Sequence, residues 1–520
     1  MDTLKRGFST IEMMIAMALM VVVLSAVVTV SFGNQGFLIG GQTNAEAMNK
    51  AQDLLEREQA LARKDFNLVN STSSTDGFYT MSVDVGLVPP SYLSKSATAT
   101  ISWIDEHKVP HSVTLTTLIS NFENPTSANT CNSSLTSGDW NSLQIVKTID
   151  FGTIGGSVPA GSYALSDIDA YQGKLYVTAA KTTNTTDPTF FIFDLSNPIN
   201  PTLTAATDTA PVIYGFNAVR VANGLNAPTT TYAYLANGYS HSYNSCKPGP
   251  SCAELQVIDV TAPNSNLTGR SMGNFMIASS SGPAVRGTTA GNALFYKNGY
   301  IFLGLTSTGG NGAGFNIIDA HDLPALFAAH ANPIMPIGYY NVGSSDINAV
   351  TVRGSYVYLA VPSVDPPMSK VVGSQLITLD ISTDITNPGL VGGFAGTGSG
   401  HGKSLAFVGD NLYLGRTSPN AGYEFHVLDN TSPNTNSLPQ LRGAEIGQSV
   451  NGVLVRDNLT YLLTNTGLIT TNATSSATTT LALPVSGSSY EPSLDCEDNY
   501  FYVTANDASD RGRLFVVTAN

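Results

Sequence analysis

The chain has 520 residues, only 12% of them charged, and a formal net charge of -14. Its length calls for more than one domain. The acidic balance argues against nucleic acid as a bulk partner, and the wealth of Gly, Ser, Thr and Asn points to an exported β protein rather than a cytosolic enzyme.

In chain order, the first element is an apolar helix. Lys5 and Arg6 precede Gly7, and the apolar stretch begins at Phe8. From Met13 to Phe32 there are twenty residues without a charge. That length suffices for a membrane-spanning helix, and the basic pair would stay on the cytoplasmic side. One carboxylate, Glu12, sits within the apolar sequence, where an unpaired charge is costly. Gly33, Gly36, Gly40 and Gly41 predict a loosened segment. Helix then resumes from about residue 44 to Lys64, with Met48, Ala51, Leu55 and Ala62 on one stripe. Glu46–Lys50 and Asp53–Arg57 are spaced as i,i+4 ion pairs.

The basic pair, glycine, Phe8 and Thr10-Ile11-Glu12 together resemble the amino terminus of the type IV pilin and pseudopilin family. The resemblance implies that prepilin peptidase cuts between Gly7 and Phe8 and that the new amino terminus is methylated. It also implies that Glu12 pairs with the terminal amine of a neighbouring pilin subunit during assembly. The implied location is the inner membrane, by a single pass with the carboxyl terminus outside, followed by an extracellular filament, at its tip.

Residues 65–123 are expected to be a pilin-like head. Three strands are predicted, 77–88, 97–105 and 112–120, the last two from their period-two alternation. The stretch from Ala99 to Ser120 resembles the heads of minor pilins. Residues 124–141, rich in Asn, Pro, Ser, Thr and Gly, form a linker.

From residue 142 onward the sequence repeats. An aromatic residue followed by an aliphatic one recurs at Tyr176-Val177, Tyr234-Leu235, Phe302-Leu303, Tyr358-Leu359, Tyr413-Leu414, Tyr461-Leu462 and Tyr502-Val503. A further strand follows each of the first five and ends in aspartate: Asp194, Asp259, Asp319, Asp380 and Asp429. These aspartates are read as caps of their own turns. The sixth unit has no such aspartate. Units of roughly 40–70 residues with four short strands predict an all-β propeller, most simply seven-bladed. Residues 142–151 supply the strand that the last unit lacks. The strand–turn pattern ending in Asp194-Leu195-Ser196-Asn197-Pro198 resembles the LVIVD-repeat propellers of bacterial surface proteins.

Four cysteines suit an oxidising compartment. Cys246 and Cys252 flank a tight Pro-Gly-Pro loop, so local pairing is the plain choice. That leaves Cys131 to pair with Cys496 across the ring closure. The spacing does not suit zinc, and no metal or other cofactor is expected. No catalytic motif is present, so no catalytic residue is assigned and the chain is not expected to be an enzyme. The glycine-rich stretches 308–314 and 396–402 are read as turns. His241, His321, His401 and His426 fall in different units and are read as surface or packed residues.

The function expected is that of a minor pilin carrying a propeller that recognises a surface, glycan or protein, in adhesion or ligand binding. The alternatives are a pseudopilin tip that binds exported cargo in a secretion machine, and a filament-tethered enzyme.

Overall fold

The computed structural model describes residues 10–64, 69, 71–88, 91–105, 108–120, 138–155, 158–183, 187–207, 215–227, 229–238, 241–242, 254–262, 271–275, 288–306, 314–323, 336–418, 421–456, 459–472, 478–485 and 487–520. The chain divides into two compact units, 1–123 and 124–520.

The first unit is one helix and one sheet. Helix α1 runs without interruption over Thr10–Lys64. The loosening expected at its glycines is absent, since about 1 kcal/mol per glycine does not by itself end a helix whose other backbone bonds continue. The strands β1 (Thr72–Asp76), β2 (Tyr79–Val88), β3 (Ser91–Ile104) and β4 (Pro110–Ser120) form an antiparallel sheet in that order. Strand β1 was not foreseen. All five of its residues are exposed, so its Ser/Thr sequence carries no apolar alternation to read. Ala47, Ala51 and Leu55, at i,i+4 spacing, pack on Val83, Ala97, Ala99, Ile101 and Trp103. Met48, placed on that stripe from the sequence, is exposed instead, because it lies one residue off the Ala47–Ala51–Leu55 line. Both i,i+4 pairs form, Lys50 with Glu46 and Arg57 with Asp53.

The expected single-pass inner-membrane anchor must be corrected, and with it the location built on it. Among the described residues no helix is long and apolar enough to cross a membrane. Among the described residues the exposed apolar side chains of α1 run from Met13 to Val28.

The second unit is built from four-stranded antiparallel sheets, seven among the described residues. Six are consecutive in sequence, with inner strands Tyr163–Tyr171, Phe216–Asn223, Gly291–Lys297, Ala349–Arg353, Gly402–Val408 and Val450–Arg456. The seventh takes Ser493–Glu497, Tyr500–Asn506 and Gly512–Ala519 from the carboxyl end. Its outer strand, β5 (Leu143–Asp150), comes from the amino-terminal end of the unit and lies antiparallel to Gly512–Ala519. Each inner strand contacts the next, and the seventh contacts the first.

The recurrent aromatic–aliphatic pair explains why the sheets stack this way. Adjacent residues of a strand point to opposite faces, and both members of every pair are buried, so each sheet is covered on both faces. The aromatic residue of each sheet shares a core with the aliphatic residue of the next. Tyr176 lies with Leu235, Tyr234 with Leu303, Phe302 with Leu359 and Tyr358 with Leu414. Tyr413 lies with Leu462, Tyr461 with Val503, and Tyr502 with Val177. The last pairing returns to the first sheet. The fold of this unit is therefore a β-propeller. Trp140, assigned to the linker from sequence, is buried in the core between the sixth and seventh blades. The strand-ending aspartates accept the main-chain N–H two residues on, at Ser196, Thr261, His321, Ser382 and Thr431, at 2.7–3.0 Å.

Candidate functional site: the axial channel

The inner strands surround a cavity of about 510 Å³. Its wall is set by a second repeat, one residue type at one strand position. Asn217, Asn292 and Asn348 begin three successive inner strands, and each donates from Nδ2 to a carbonyl of the following blade. The acceptors are Gly291, Ile347 and Gly402, at 2.9, 2.8 and 2.7 Å. Ser166 donates to Phe216 O at 2.5 Å, and Ser404 to Val450 O at 3.2 Å. Blade is thus tied to blade by a short polar side chain reaching backbone, from the first blade to the sixth. At the seam Asn506 makes two hydrogen bonds to the first blade. Its Oδ1 accepts from Leu165 N at 2.7 Å and its Nδ2 donates to Leu165 O at 2.8 Å. Sequence reasoning missed this repeat. The signal was there, as Asn-Ala followed by Val or Leu at 217–219, 292–294 and 348–350.

Deeper in the channel the blades differ. Asp495, Asp169 and Arg220 stand on the seventh, first and second blades, with Asp167 beside them. The facing blades contribute Leu294, Phe295, Val350, Thr351, Val453 and Leu454. Asp167, Asp169, Arg220 and Asp495 gather charge on one side, whereas Leu294, Phe295, Val350 and Val453 pack into the cores between blades. Arg220 lies 3.0 Å from Asp167 and 3.9 Å from Asp169. Asp167 also accepts from Val219 N at 3.0 Å and Ser493 Oγ at 2.7 Å. Asp169 accepts from Val221 N at 2.7 Å, and Asp495 from Ala170 N at 2.6 Å. These carboxylates therefore join neighbouring blades as well as lining the cavity.

Burial pushes Asp169 up to about 7, against the pull of Arg220 and the Val221 N–H, and Asp167 adds to the rise. Burial and the neighbouring Asp169 lift Asp495 well above the carboxylate range. A carboxyl raised in the folded state holds a proton that the unfolded chain has lost. The stability from Asp169 is thus complete below about pH 4 and is lost as pH rises through about 7. Asp169→Asn removes the titration while keeping an acceptor for Val221 N. We expect this variant to gain stability relative to the parent between pH 5 and pH 8, by on the order of 1–3 kcal/mol, measured by urea unfolding at each pH. A constant difference across that range would refute the assignment.

At the rim, Lys403 stands in the fifth blade where its neighbours have asparagine. It bonds Glu491, just before the seventh blade's inner strand, at 2.7 Å. Among the described residues no group of three or more His, Cys, Asp or Glu is disposed to hold a metal ion.

Most residues singled out from the sequence lie away from this channel. Lys5, Arg6, Gly7, Phe8, Cys131, Cys246 and Cys252 fall outside the described residues, as do 308–313 of one glycine-rich stretch. Glu12 is within α1, but its side chain is outside the described set. Cys496 is disulfide-bonded and fully buried. His321 is bonded to Asp319 at 2.7 Å, and His401 is exposed. His426 is buried beside Arg416, and Arg416 accounts for the other glycine-rich stretch. Its Nη2 donates to Thr397 O at 3.1 Å, and a Cβ on Gly396 would come within 2.4 Å of Nη1.

No family model matches the chain, and no curated protein does. Solved structures similar to it include the Neurospora crassa Pan2 WD40 domain, with 10% identity and a TM-score of 0.42 over 74% of this chain and 98% of that one. Another is the β-propeller domain of Myceliophteria thermophila Cps50 (Swd1), with 12% identity and a TM-score of 0.37 over 76% and 96%. At such values the sheet order and the shared cores, rather than these likenesses, carry the fold.

Proposed function

We propose that the chain is a minor type IV pilin-like subunit whose propeller is a binding module carried on a filament. The observation that carries this reading is the pairing of two dissimilar parts in one chain. One is a 55-residue helix with an exposed apolar run near its amino end. The other is a closed ring of sheets around a lined cavity. An apolar run from Met13 to Val28 is unfavourable in water at about 25 cal/mol per Å² exposed. Like helices of other pilin subunits are the partners that the Lys5–Glu12 motif suggests. The propeller, with no catalytic constellation assigned, is read as a recognition head, its task binding rather than catalysis.

The test is processing and incorporation. Prepilin peptidase should leave a mature chain beginning at Phe8, read by amino-terminal sequencing. Glu12→Ala should leave that cut intact yet lower the amount of the chain recovered in sheared filaments at least tenfold, about 1.4 kcal/mol of lost pairing or more. A mature terminus elsewhere, or full recovery of the Glu12→Ala chain, rejects the pilin reading.

A further inference from the structure

The seam between the seventh and first blades is fastened by acids. Asp495 accepts from Ala170 N at 2.6 Å, and Glu497 from Gly173 N at 2.7 Å. Ser493 Oγ donates to Asp167 Oδ1 at 2.7 Å. The interface between the first and second blades is fastened the same way, Asp167 accepting from Val219 N and Asp169 from Val221 N. Further round the ring the ties are neutral, from Asn217, Asn292 and Asn348 to main-chain carbonyls. Where charge joins the fourth blade to the fifth it is matched one to one, Arg353 with Asp410 at 2.7 Å.

At the seam the charges do not match. Asp167, Asp169 and Asp495 are all buried, and Arg220 is the cation that acts on all three. Its hydrogen bond goes to Asp167 at 3.0 Å, with Asp169 3.9 Å away. Full ionisation would set three negative charges against one positive in a buried place, where uncompensated charge is expensive. Asp169 and Asp495 stand on opposite sides of the seam, side by side, since Asp495 bonds the N–H of the residue that follows Asp169. Burial raises both above the ordinary carboxylate range, and Asp169 raises Asp495 further. The other titratable groups facing them are Tyr171 on the same strand, Tyr176 on the neighbouring strand of the first blade, and Glu497 on the seventh blade. Burial holds both tyrosines neutral, so they supply no compensating charge.

We propose that this seam is a proton-operated clasp: with protons on the facing acids the ring is shut, and their loss parts the seventh blade from the first while the sheets themselves stay folded. Once ionised, Asp169 and Asp495 repel each other across an interface whose two inner strands are held together by side-chain and main-chain contacts alone. The chain crosses the seam between Asp150 and Tyr163, so the parted blades stay tethered. The shut form binds more protons than the parted one, so acid favours closure and rising pH favours opening. Opening lays the inner strand of the first blade bare to solvent.

The experiment is hydrogen exchange on the full chain at about pH 6 and about pH 8.5, each rate divided by that of the unfolded chain at the same pH. We expect the protection of Tyr163–Tyr171 and Ser493–Glu497 to fall at least tenfold between the two, while Ala349–Arg353 in the fourth blade keeps its protection and far-ultraviolet circular dichroism is unchanged. Asp495→Asn, which keeps an acceptor for Ala170 N and removes the charge, should hold the seam protected at the higher pH. If that variant does not fold, Asp169→Asn takes its place, and the comparison of strands within the parent decides without either. An equal fall in the fourth blade means unfolding of the whole ring and overturns the proposal. So does a seam whose protection is the same at both pH values, or a folded variant that loses protection as the parent does. Closure of the seam is independent of processing at Gly7, so the two readings fail separately.

Discussion

Asn506→Ala will loosen the propeller at its seam more than any single loss along the rest of the asparagine ring. Asn506 is 4% exposed, and its side chain satisfies both main-chain groups of Leu165, a residue of the first blade that is fully buried. Alanine leaves an N–H and a C=O bare in a dry place, each worth about 1–3 kcal/mol, so about 2–5 kcal/mol is at stake. Asn451→Ala is the control. Asn451 lies at the rim, where its Nδ2 meets only Asn465 of the same blade, and its loss should cost under about 1 kcal/mol. Scanning calorimetry should show the melting temperature lowered by roughly 3–6 °C in Asn506→Ala and by about 1 °C or less in Asn451→Ala. Equal shifts would mean that the seam has no special place in holding the ring shut.

Arg416→Met is the second large effect. Arg416 is fully buried in the fifth blade. Its guanidinium donates to Tyr423 O and Thr397 O at 2.9 and 3.1 Å, and approaches Gly400 O at 3.4 Å. It also donates to His426 Nε2 at 3.1 Å, while His426 Nδ1 donates to Gln440 Oε1 at 3.0 Å. Methionine fills much of the volume but orphans the carbonyls and leaves buried Glu424 without a nearby cation. A loss of about 3–5 kcal/mol is expected, read as a lower urea midpoint with an unchanged slope. The same substitution changes the acid limb. Burial, and then Arg416, hold the imidazole of His426 down at about 4. The stability it contributes is present above the unfolded value near 6.5 and is lost as pH falls through about 4. Without Arg416 the imidazole rises toward its ordinary value, so the decline below pH 6.5 becomes shallower. An acid limb as steep as the parent's would show that the guanidinium does not act on His426. The Asp169 window overlaps this one with opposite sign, so each effect must be read as a difference between variant and parent.

What the sequence determined by itself was local. A strand buried on both faces must write an aromatic and an aliphatic residue side by side, and that pair recurs from Tyr176 to Tyr502 wherever a sheet is sandwiched between two others. Asp194 and its counterparts act within two residues of themselves, so their turns were legible too. The strand β1 was not, because a wholly exposed strand leaves no apolar pattern.

Only the tertiary structure decided the channel. Asp167, Asp169, Arg220, Thr351 and Asp495 come from blades far apart in sequence, and each sits in a stretch that reads as ordinary strand. Their chemistry arises because closing the ring brings first and last blades together in a space that excludes water. There a carboxyl keeps its proton and a guanidinium lies against a carboxylate of the preceding blade. Periodicity carries no record of which blade faces which across an axis, since that depends on how many sheets it takes to close the circle.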